Sequence, residues 1–341
     1  MPTGRDGGTA ALLETITAAS LEIPGRGRAF FLNASDGAGL DEGWRDALVC
    51  EQTHKGTHDA LRARGFEVRP QIDGTFDLGL IQLSKHKAVS FAAIARGLAM
   101  LVPGGWLVCA GPKDAGAGSV GKRLGQEIAG VEHGHGGHQR SFWVRRPAVL
   151  PAVCAEWRAG GEPRRVAATG FVSRPGLFAW DKIDAGSMFL ADHLPAELRG
   201  AVADLGCGWG YLAARLLAER TGIARLDLFD AEWHAVEAAR ANVGADTRVR
   251  VHWADVAAGE VGSGAYNWVV SNPPFHAGVA AEPDLGRTFL GAAARMLKPG
   301  GTFVLVANRQ MAYERALDAA FRERRVIAEN PHFKVLSATA R

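Results

Sequence analysis

The feature that most constrains the fold is a glycine-rich turn between an apolar segment and an amphipathic one. The segment AVADL at 201–205 is typical of a buried strand, and Gly206, Gly208 and Gly210 follow it at every second position. YLAARLLAER at 211–220 then carries leucines at helical spacing. Closely spaced glycines let a backbone turn sharply and approach a ligand. The pattern predicts a strand, a ligand-binding turn and a helix.

The remainder of the second half alternates between strand and helix patterns. Strands are predicted at 225–229, 248–253, 266–270 and 302–307, and helices at 231–243, 285–297 and 311–323. Such alternation predicts a doubly wound, mostly parallel α/β sheet. Two further extended segments, near 325–328 and 333–338, are separated by an Asn-Pro turn. We expect them to form an antiparallel hairpin at the edge of the sheet.

The first half of the chain repeats this plan. FDLGLIQLSKHK at 76–87 takes the place of YNWVVSNPPFHAG at 266–278, and VPGGWLVCAG at 102–111 parallels KPGGTFVLVAN at 298–308. We interpret this as an internal duplication, although Pro-Gly-Gly turns before strands also arise by chance. RAFFLNASDGAG at 28–39 lacks the closely spaced glycines. The sequence therefore predicts a degenerate domain at 1–165 and a complete one at 166–341.

Composition excludes several classes of protein. The chain has 341 residues, 47% hydrophobic and 22% charged, which is typical of globular domains. Its longest charge-free apolar stretch is broken by a Pro-Gly-Gly turn, so no membrane span is expected. The N-terminus has no secretory pattern and the four cysteines are widely separated, which favours reduced thiols in the cytoplasm.

Charge is weakly informative about partners. Residues 1–165 hold 20 Lys and Arg against 17 Asp and Glu, whereas residues 166–341 hold 19 of each. The whole excess of +3 therefore lies in the first half. Ordinary surface charge explains so small an excess as well as a nucleic-acid partner does.

Three acidic residues follow or end predicted strands of the second half. Asp204 precedes the first glycine by two positions, where it can hold the ammonium group of S-adenosylmethionine. Asp230 ends the next strand and can accept hydrogen bonds from two ribose hydroxyls, and Asp255 follows the third and can accept from an adenine amino group. Each alone is more often a helix cap. Together, at the carboxyl edge of a parallel sheet, they predict a nucleoside pocket.

The strongest chemical signal is Asn272-Pro273-Pro274-Phe275 after the fourth strand. Two prolines force an extended backbone, which presents the Pro273 carbonyl and the Asn272 side-chain oxygen together. Two such acceptors suit an NH₂ group on a planar, conjugated carbon and can orient it toward a sulfonium methyl. Phe275 can stack on a base that has left its helix. The purely structural alternative is a proline-rich turn.

The second half resembles the class I S-adenosylmethionine-dependent methyltransferases of the N-P-P-[FY] group. The whole chain resembles the bacterial ribosomal RNA guanine-N2 methyltransferases, the family of small subunit methyltransferase C and large subunit methyltransferase G. The resemblance is carried by five segments: PGLFAWDKIDAGSMFLADHLP (175–195), DLGCGWGYL (204–212), SNPPFHAG (271–278), KPGGTFVLVAN (298–308) and HFKVLSA (332–338).

The resemblance implies two tandem Rossmann-like domains, the first degenerate and the second a seven-stranded sheet with a terminal hairpin. It implies methyl transfer to a guanine N2 of ribosomal RNA, expected in 16S RNA or the small subunit, by a monomer without metal. Implied cofactor contacts are Asp184, Gly186, Ser187, Asp204, Gly206, Cys207, Gly208, Gly210, Asp230, Ala231, Asp255 and Asn272; the target amine meets Asn272, Pro273, Pro274 and Phe275. Lys85, Lys87, Lys113, Lys122 and Arg123 are the expected RNA contacts.

Two other functions stay open at this point. One is a protein glutamine-N5 or adenine-N6 methyltransferase, which shares the motif, although tyrosine is usual where Phe275 stands. The other is a non-catalytic RNA-binding assembly factor, against which the intact Asn272 and glycine loop argue. Trp209 fills a loop position that is usually small and could cover the cofactor or simply pack, and His276 is given no role. Alternating histidines at 133, 135 and 138 are expected in a surface loop, not a metal site.

Overall fold

The computed structural model describes residues 6–35, 39–136, 138–259, 261–274 and 283–341. These residues fall into two compact units, Met1–Glu162 and Pro163–Arg341. The division lies three residues before the boundary predicted at 165. None of the helices within the described residues is long and apolar enough to cross a membrane.

In the first unit, the described residues form a seven-stranded sheet in the order β3-β2-β1-β4-β5-β7-β6. The strands β1 to β5 are parallel, and β7 is antiparallel to both β5 and β6. The strands are β1 (Ala29–Leu32), β2 (Leu48–Glu51), β3 (Glu67–Arg69), β4 (Phe76–Gln82), β5 (Leu101–Pro112), β6 (Glu132–Gly136) and β7 (Gln139–Arg145). The helices are α1 (Asp6–Ala18), α2 (Glu42–Ala47), α3 (Lys55–Ala63), α4 (Lys87–Met100), α5 (Ala117–Glu127) and α6 (Val153–Gly161).

The second unit begins with a short antiparallel pair, β8 (Arg164–Arg165) and β9 (Val172–Ser173), and then repeats the sheet of the first. Its described residues form seven strands in the order β12-β11-β10-β13-β14-β16-β15. The sheet strands are β10 (Gly200–Leu205), β11 (Ile223–Asp230), β12 (Val249–Trp253), β13 (Tyr266–Ser271), β14 (Leu297–Asn308), β15 (Glu323–Glu329) and β16 (Phe333–Thr339). The helices are α7 (Ala185–Asp192), α8 (Tyr211–Glu219), α9 (Trp233–Val243), a 3₁₀ turn (Val256–Ala258), α10 (Pro283–Met296) and α11 (Glu314–Ala320).

The predicted fold class is confirmed, including the terminal hairpin of β15 and β16. Central strands are apolar almost throughout because helices cover both faces of a parallel sheet. All four residues of β1 are buried, for example, and Phe303 of β14 is fully buried. The carboxyl ends of β10, β11 and β13 meet at one edge of the sheet, which is where the predicted site residues lie.

One predicted helix is shorter than expected. The pattern at 311–323 predicts a continuous helix, but α11 covers only Glu314–Ala320. The backbone leaves the helix at Phe321, which is buried in the core, and the Arg322 amide donates to the Thr339 carbonyl at 2.8 Å. Helical spacing predicts that the helix continues to residue 323, but Glu323 already belongs to β15, which pairs with β16.

His133 and His135 lie in a strand, so the prediction of a surface loop was wrong for these two residues, whereas His138 lies in an exposed turn. Residues Glu132–Gly136 form β6 and pair antiparallel with Gln139–Arg145. This pairing, in which His133 lies opposite Phe142, forms a strand that the glycine-rich composition did not predict. The described residues contain no group of His, Cys, Asp and Glu suited to a metal ion.

Strand register aligns the two units residue by residue. Leu32 pairs with Ile81 in the first sheet, as Leu205 pairs with Ser271 in the second. Gln82 therefore takes the place of Asn272, and Asn33 takes that of Gly206. The two latter residues share a left-handed backbone, with φ of 56° and 71°. The alignment supports duplication and identifies which residues of the first unit stand where the second has its predicted site.

Polar side chains of the first unit bond to one another at this place. The Ser35 hydroxyl donates to Gln82 Oε1 at 2.7 Å and lies 2.8 Å from Thr9 Oγ1 of α1. A Cβ at Gly8 would lie 2.8 Å from Gln82 Nε2, so α1 packs directly on this glutamine. In the first unit, α1 and these hydrogen bonds thus hold the glutamine that corresponds to Asn272.

Candidate active site

The glycine loop between β10 and α8 has the backbone that its sequence requires. Gly206, Gly208 and Gly210 have φ of 71°, 55° and 92°, in the left-handed region that other residues rarely adopt. Asp230 at the end of β11 holds this loop, since its two carboxylate oxygens accept from the Gly208 amide at 2.9 Å and the Glu232 amide at 2.8 Å. On α9, Asn242 donates to the Trp209 carbonyl at 2.8 Å. The loop is therefore fixed from two sides.

Asp204 lies fully buried at the end of β10, one residue before the loop. Neither of its carboxylate oxygens has a hydrogen-bond partner among the described residues. Burial, together with the nearby carboxylate of Asp230, raises the pKa of Asp204 to about 8. A buried carboxyl group without a partner is costly, and a cationic group bound at the loop would stabilise its ionised form.

The raised pKa gives a testable pH dependence. Asp204 keeps its proton in the folded protein at pH values where the unfolded chain has lost it, so stability falls as pH rises from about 4 to about 8. Asp204→Asn removes this titration while keeping the shape of the side chain. The unfolding free energy of the variant relative to wild type should therefore rise between about pH 5.5 and about pH 8.5. Urea denaturation at both pH values measures it, and a constant difference would contradict the assignment.

Asn272 follows β13 and is held by the first turn of α7. Asp184 caps that helix by accepting from the Ser187 amide at 2.8 Å. The Asn272 side-chain amide donates to Asp184 Oδ2 at 2.9 Å and to Ser187 Oγ at 2.8 Å. Both amide hydrogens are thus used, and Oδ1 is the atom of this side chain that can accept.

These elements surround a cleft that opens to solvent. It lies between the glycine loop, the start of α7 and the end of β13. Its lining comprises Phe178, Ala179, Asp184, Ser187, Gly206, Cys207, Gly208, Trp209, Tyr211, Leu212 and Asn272. Six of the predicted site residues are among them: Asp184, Ser187, Gly206, Cys207, Gly208 and Asn272.

Other predicted residues lie outside this lining. Asp255 caps the 3₁₀ turn by accepting from the Ala257 amide at 2.9 Å, and the Ala231 carbonyl accepts from the Trp253 indole at 2.8 Å. Gly186 and Gly210 belong to the adjoining helix starts, Pro273 is buried and Pro274 exposed. Phe275 and His276 lie outside the described residues.

Sequence reasoning missed part of the lining. Phe178 is 73% exposed, and Ala179 has a left-handed φ of 46°, which is strained for alanine. Neither residue type nor spacing marks these two positions, because both belong to an irregular segment. Trp209 packs against Phe171 with ring centroids 5.0 Å apart, so it is mostly buried while bordering the cleft.

Gly208 offers a direct test of the cleft. A Cβ added there meets no heavy atom within 4 Å, so it would project into open space. Gly208→Ala should weaken S-adenosylmethionine binding at least about tenfold, because the methyl group intrudes on a loop that approaches the ligand closely. Gly264→Ala is the matched control, with a similar φ of 63°, equally open space and a place outside the lining. Equal calorimetric affinities of the two variants for S-adenosylmethionine would show that the cofactor does not bind at this loop.

The predicted RNA contacts lie on the first unit. Lys85, Lys87 and Lys113 are exposed and follow the carboxyl ends of β4 and β5, while Lys122 and Arg123 are exposed on α5. Arg123 also pairs with Glu127 at 2.7 Å. Their role in binding RNA stays a prediction.

A parallel sheet with an antiparallel hairpin, a glycine loop after its first central strand and an N-P-P turn after its fourth define a class I methyltransferase domain. Residues 168–337 match the family model described as Methyltransferase small domain, and this part of the chain belongs to that family.

Similar proteins extend the comparison. Ribosomal RNA small subunit methyltransferase C of Salmonella choleraesuis (strain SC-B67) is 39% identical over 161 residues, 47% of this chain and 46% of that protein. The protein of the same name from Salmonella heidelberg (strain SL476) is 38% identical over 161 residues. The matched part is thus about half the length of these curated relatives.

A solved structure matches over both units. It is the T. thermophilus 16S rRNA N2 G1207 methyltransferase in complex with AdoMet and guanosine, with a TM-score of 0.78 and 23% identity. The match covers 97% of this chain and 91% of that one. At this identity the likeness establishes the tandem fold.

Proposed function

We propose that the chain transfers a methyl group from S-adenosylmethionine to the exocyclic N2 amine of a guanine in small-subunit ribosomal RNA. The observation that carries the proposal is the Asn272 amide, held by Asp184 and Ser187 at the rim of the glycine-loop cleft. The names of the curated relatives support the RNA substrate and its small subunit. A ribosomal substrate also favours a cytoplasmic location, and the monomeric state stays a prediction.

The residues present fit the cofactor. The unpartnered carboxyl group of Asp204 suits a nearby cationic amino-acid end, and the left-handed glycines let the backbone approach it. Gly206, Cys207 and Gly208 would hold that end, with the ribose toward Asp230. The cofactor supplies an electrophilic methyl group on a sulfonium.

The protein's own contribution to the reaction is orientation. The Asn272 Oδ1 and the Pro273 carbonyl accept the two hydrogens of the target amine, which aims its nitrogen at the methyl group. The nitrogen–carbon bond forms as the carbon–sulfur bond breaks, and the amine loses a proton afterwards. Little general-base help is therefore needed before transfer, so no role is assigned to His276.

Label transfer tests the substrate class. Ribosomal subunits from a strain lacking the gene are treated with enzyme and methyl-labelled S-adenosylmethionine, both intact and after removal of protein. We expect label in 16S RNA. Label in ribosomal protein would support the glutamine-N5 alternative, and no transfer to any fraction would support a non-catalytic RNA-binding factor.

Charge reversal tests the role of the first unit. Changing Lys85, Lys87 and Lys113 to Glu should weaken RNA binding. The slope of the logarithm of the binding constant against the logarithm of the salt concentration should become shallower by about one for each phosphate that is no longer neutralised. The control is Arg26→Glu with Arg62→Glu, since these exposed residues lie toward the opposite, amino-terminal edge of the same sheet. Cofactor affinity should not change in either variant. RNA titrations at several salt concentrations measure the affinity and its salt dependence for both variants. Equal effects of the two would contradict a specific role for Lys85, Lys87 and Lys113.

A further inference from the structure

We infer that Asp184 and Ser187 act as a positioning pair that locks the Asn272 amide in one orientation, and that this lock makes the site select an amine over a carbonyl. The inference rests on the proposed function and deepens it. It concerns the three side chains that join the start of α7 to the end of β13, which we call the amide lock.

The chemistry of the partners fixes the orientation. A side-chain amide can turn over, which exchanges its NH₂ donor for its carbonyl acceptor. The carboxylate of Asp184 only accepts, so it holds the NH₂ group at 2.9 Å, while Ser187 Oγ takes the second hydrogen at 2.8 Å. The reversed amide would set its oxygen against this carboxylate. Asp184 therefore disfavours the reversed state by charge repulsion and by the loss of its hydrogen bond, whereas the Ser187 hydroxyl, which can donate as well as accept, supports either state.

The rigidity of the partners makes the lock effective. Asp184 Oδ2 also accepts from the Ser187 backbone amide at 2.8 Å, which caps α7 and fixes the carboxylate. Pro273 follows Asn272 directly and restricts the backbone of the asparagine. The Asp184 carboxylate cannot turn with the amide without breaking the cap of a helix.

A fixed acceptor gives a reason for selectivity. Guanine presents the amine at N2 and the carbonyl at O6 on its Watson–Crick edge, on either side of N1. Oδ1 accepts from the amine, whereas it would repel the carbonyl. A reversed amide would present its NH₂ group and donate to the guanine carbonyl. An Asn272 that is free to turn would therefore hold bases in unreactive poses.

This role differs from the cofactor contact that sequence resemblance implies for Asp184 and Ser187. A cofactor contact predicts weaker cofactor binding when either residue is changed. A positioning role predicts a lower kcat with little change in cofactor affinity.

A charge exchange tests the lock. Asn272→Asp places two carboxylates in contact and should lower kcat by about 10²-fold or more. Adding Asp184→Asn removes that repulsion while its amide oxygen can still accept from the Ser187 amide, so kcat should recover by roughly tenfold. Asp184→Asn alone removes the charge that disfavours the reversed amide but keeps an accepting oxygen, so it should lower kcat less than Asp184→Ala does.

Two results would overturn the inference. One is independence, in which the losses of Asn272→Asp and Asp184→Asn simply multiply in the double variant. The other is an Asp184→Ala variant that binds S-adenosylhomocysteine much more weakly at unchanged kcat, which would make Asp184 a cofactor contact.

Thermal unfolding separates this inference from the proposed function. The melting temperature of the Asn272→Asp protein should fall and should recover when Asp184→Asn is added, without any substrate. If wild-type protein transfers no methyl group to ribosomal RNA but this recovery is seen, the proposed reaction fails and the lock stands. If transfer occurs and neither kcat nor melting temperature recovers, the lock fails alone.

Discussion

Asn272→Ala is expected to lower kcat by about 10²–10³-fold, the usual cost of removing one oriented polar group that acts in the transition state. The side chain ends β13 at the rim of the cleft, and both of its amide hydrogens are held. Removing it deletes the acceptor that aims the target amine. Because the glycine loop is built without Asn272, the affinity for S-adenosylmethionine should change little.

Single-turnover kinetics with saturating RNA and cofactor measure this loss, and calorimetry with S-adenosylhomocysteine measures cofactor affinity. The melting temperature serves as the control for folding, since the variant also leaves Asp184 and Ser187 without this partner. A variant with normal turnover would remove the N-P-P motif from the mechanism. A variant that loses cofactor affinity in proportion to kcat would make Asn272 mainly a binding residue.

Asp230→Ala is expected to weaken cofactor binding by about 1–3 kcal/mol, the cost of leaving buried partners without their hydrogen bonds. Its carboxylate holds the Gly208 amide and so shapes the loop. Burial raises the pKa of Asp230, while the backbone amides of Glu232 and Gly208 act against that rise. The substitution therefore loosens the loop and removes the proposed ribose acceptor together.

The first unit supplies a matched control in Gln52. This residue follows β2 as Asp230 ends β11, and its Oε1 accepts from the His54 amide at 2.7 Å, as Asp230 accepts from Glu232. Its amide donates to the Ala34 carbonyl, where Asp230 accepts from the Gly208 amide. Gln52→Ala should leave cofactor affinity unchanged, and wild type should bind one cofactor per chain. A stoichiometry near two, or an equal loss in both variants, would contradict a degenerate first unit.

Local chemistry made the main elements of the site predictable from sequence. The glycines at 206, 208 and 210 permit a left-handed backbone, and a strand before them and leucines at helical spacing after them favour a ligand-binding turn in an α/β sheet. The double proline likewise indicates an extended turn. Such features depend on neighbours within a few residues, so a single sequence carries them.

Contacts between residues far apart in the chain could not be predicted from the sequence. Asn272 and Asp184 are 88 residues apart, and the resemblance placed both near the cofactor without indicating that they bond to each other. The sequence placed Asp204 near the ammonium group of the ligand but did not indicate that its side chain is fully buried beside the loop. Burial and partnership depend on how the elements pack, which periodicity does not specify.

Tertiary pairing also overrode local preference at two edges. Residues 321–323 have helical spacing, yet the backbone pairs with the last strand. The Gly- and His-rich segment at 132–136 resembles a loop, yet it pairs with β7. In both places the backbone amides and carbonyls bond to a neighbouring strand, whereas the local sequence pattern predicts a helix or a loop.

The identity of the methylated nucleoside tests the central claim most directly. Ribosomal RNA from a strain lacking the gene is labelled with the wild-type enzyme, digested to nucleosides and analysed by mass spectrometry. The proposed function predicts N2-methylguanosine from 16S RNA, formed by wild type and formed at least about a hundredfold more slowly by Asn272→Ala. N6-methyladenosine, or N2-methylguanosine that Asn272→Ala forms at the wild-type rate, would contradict it.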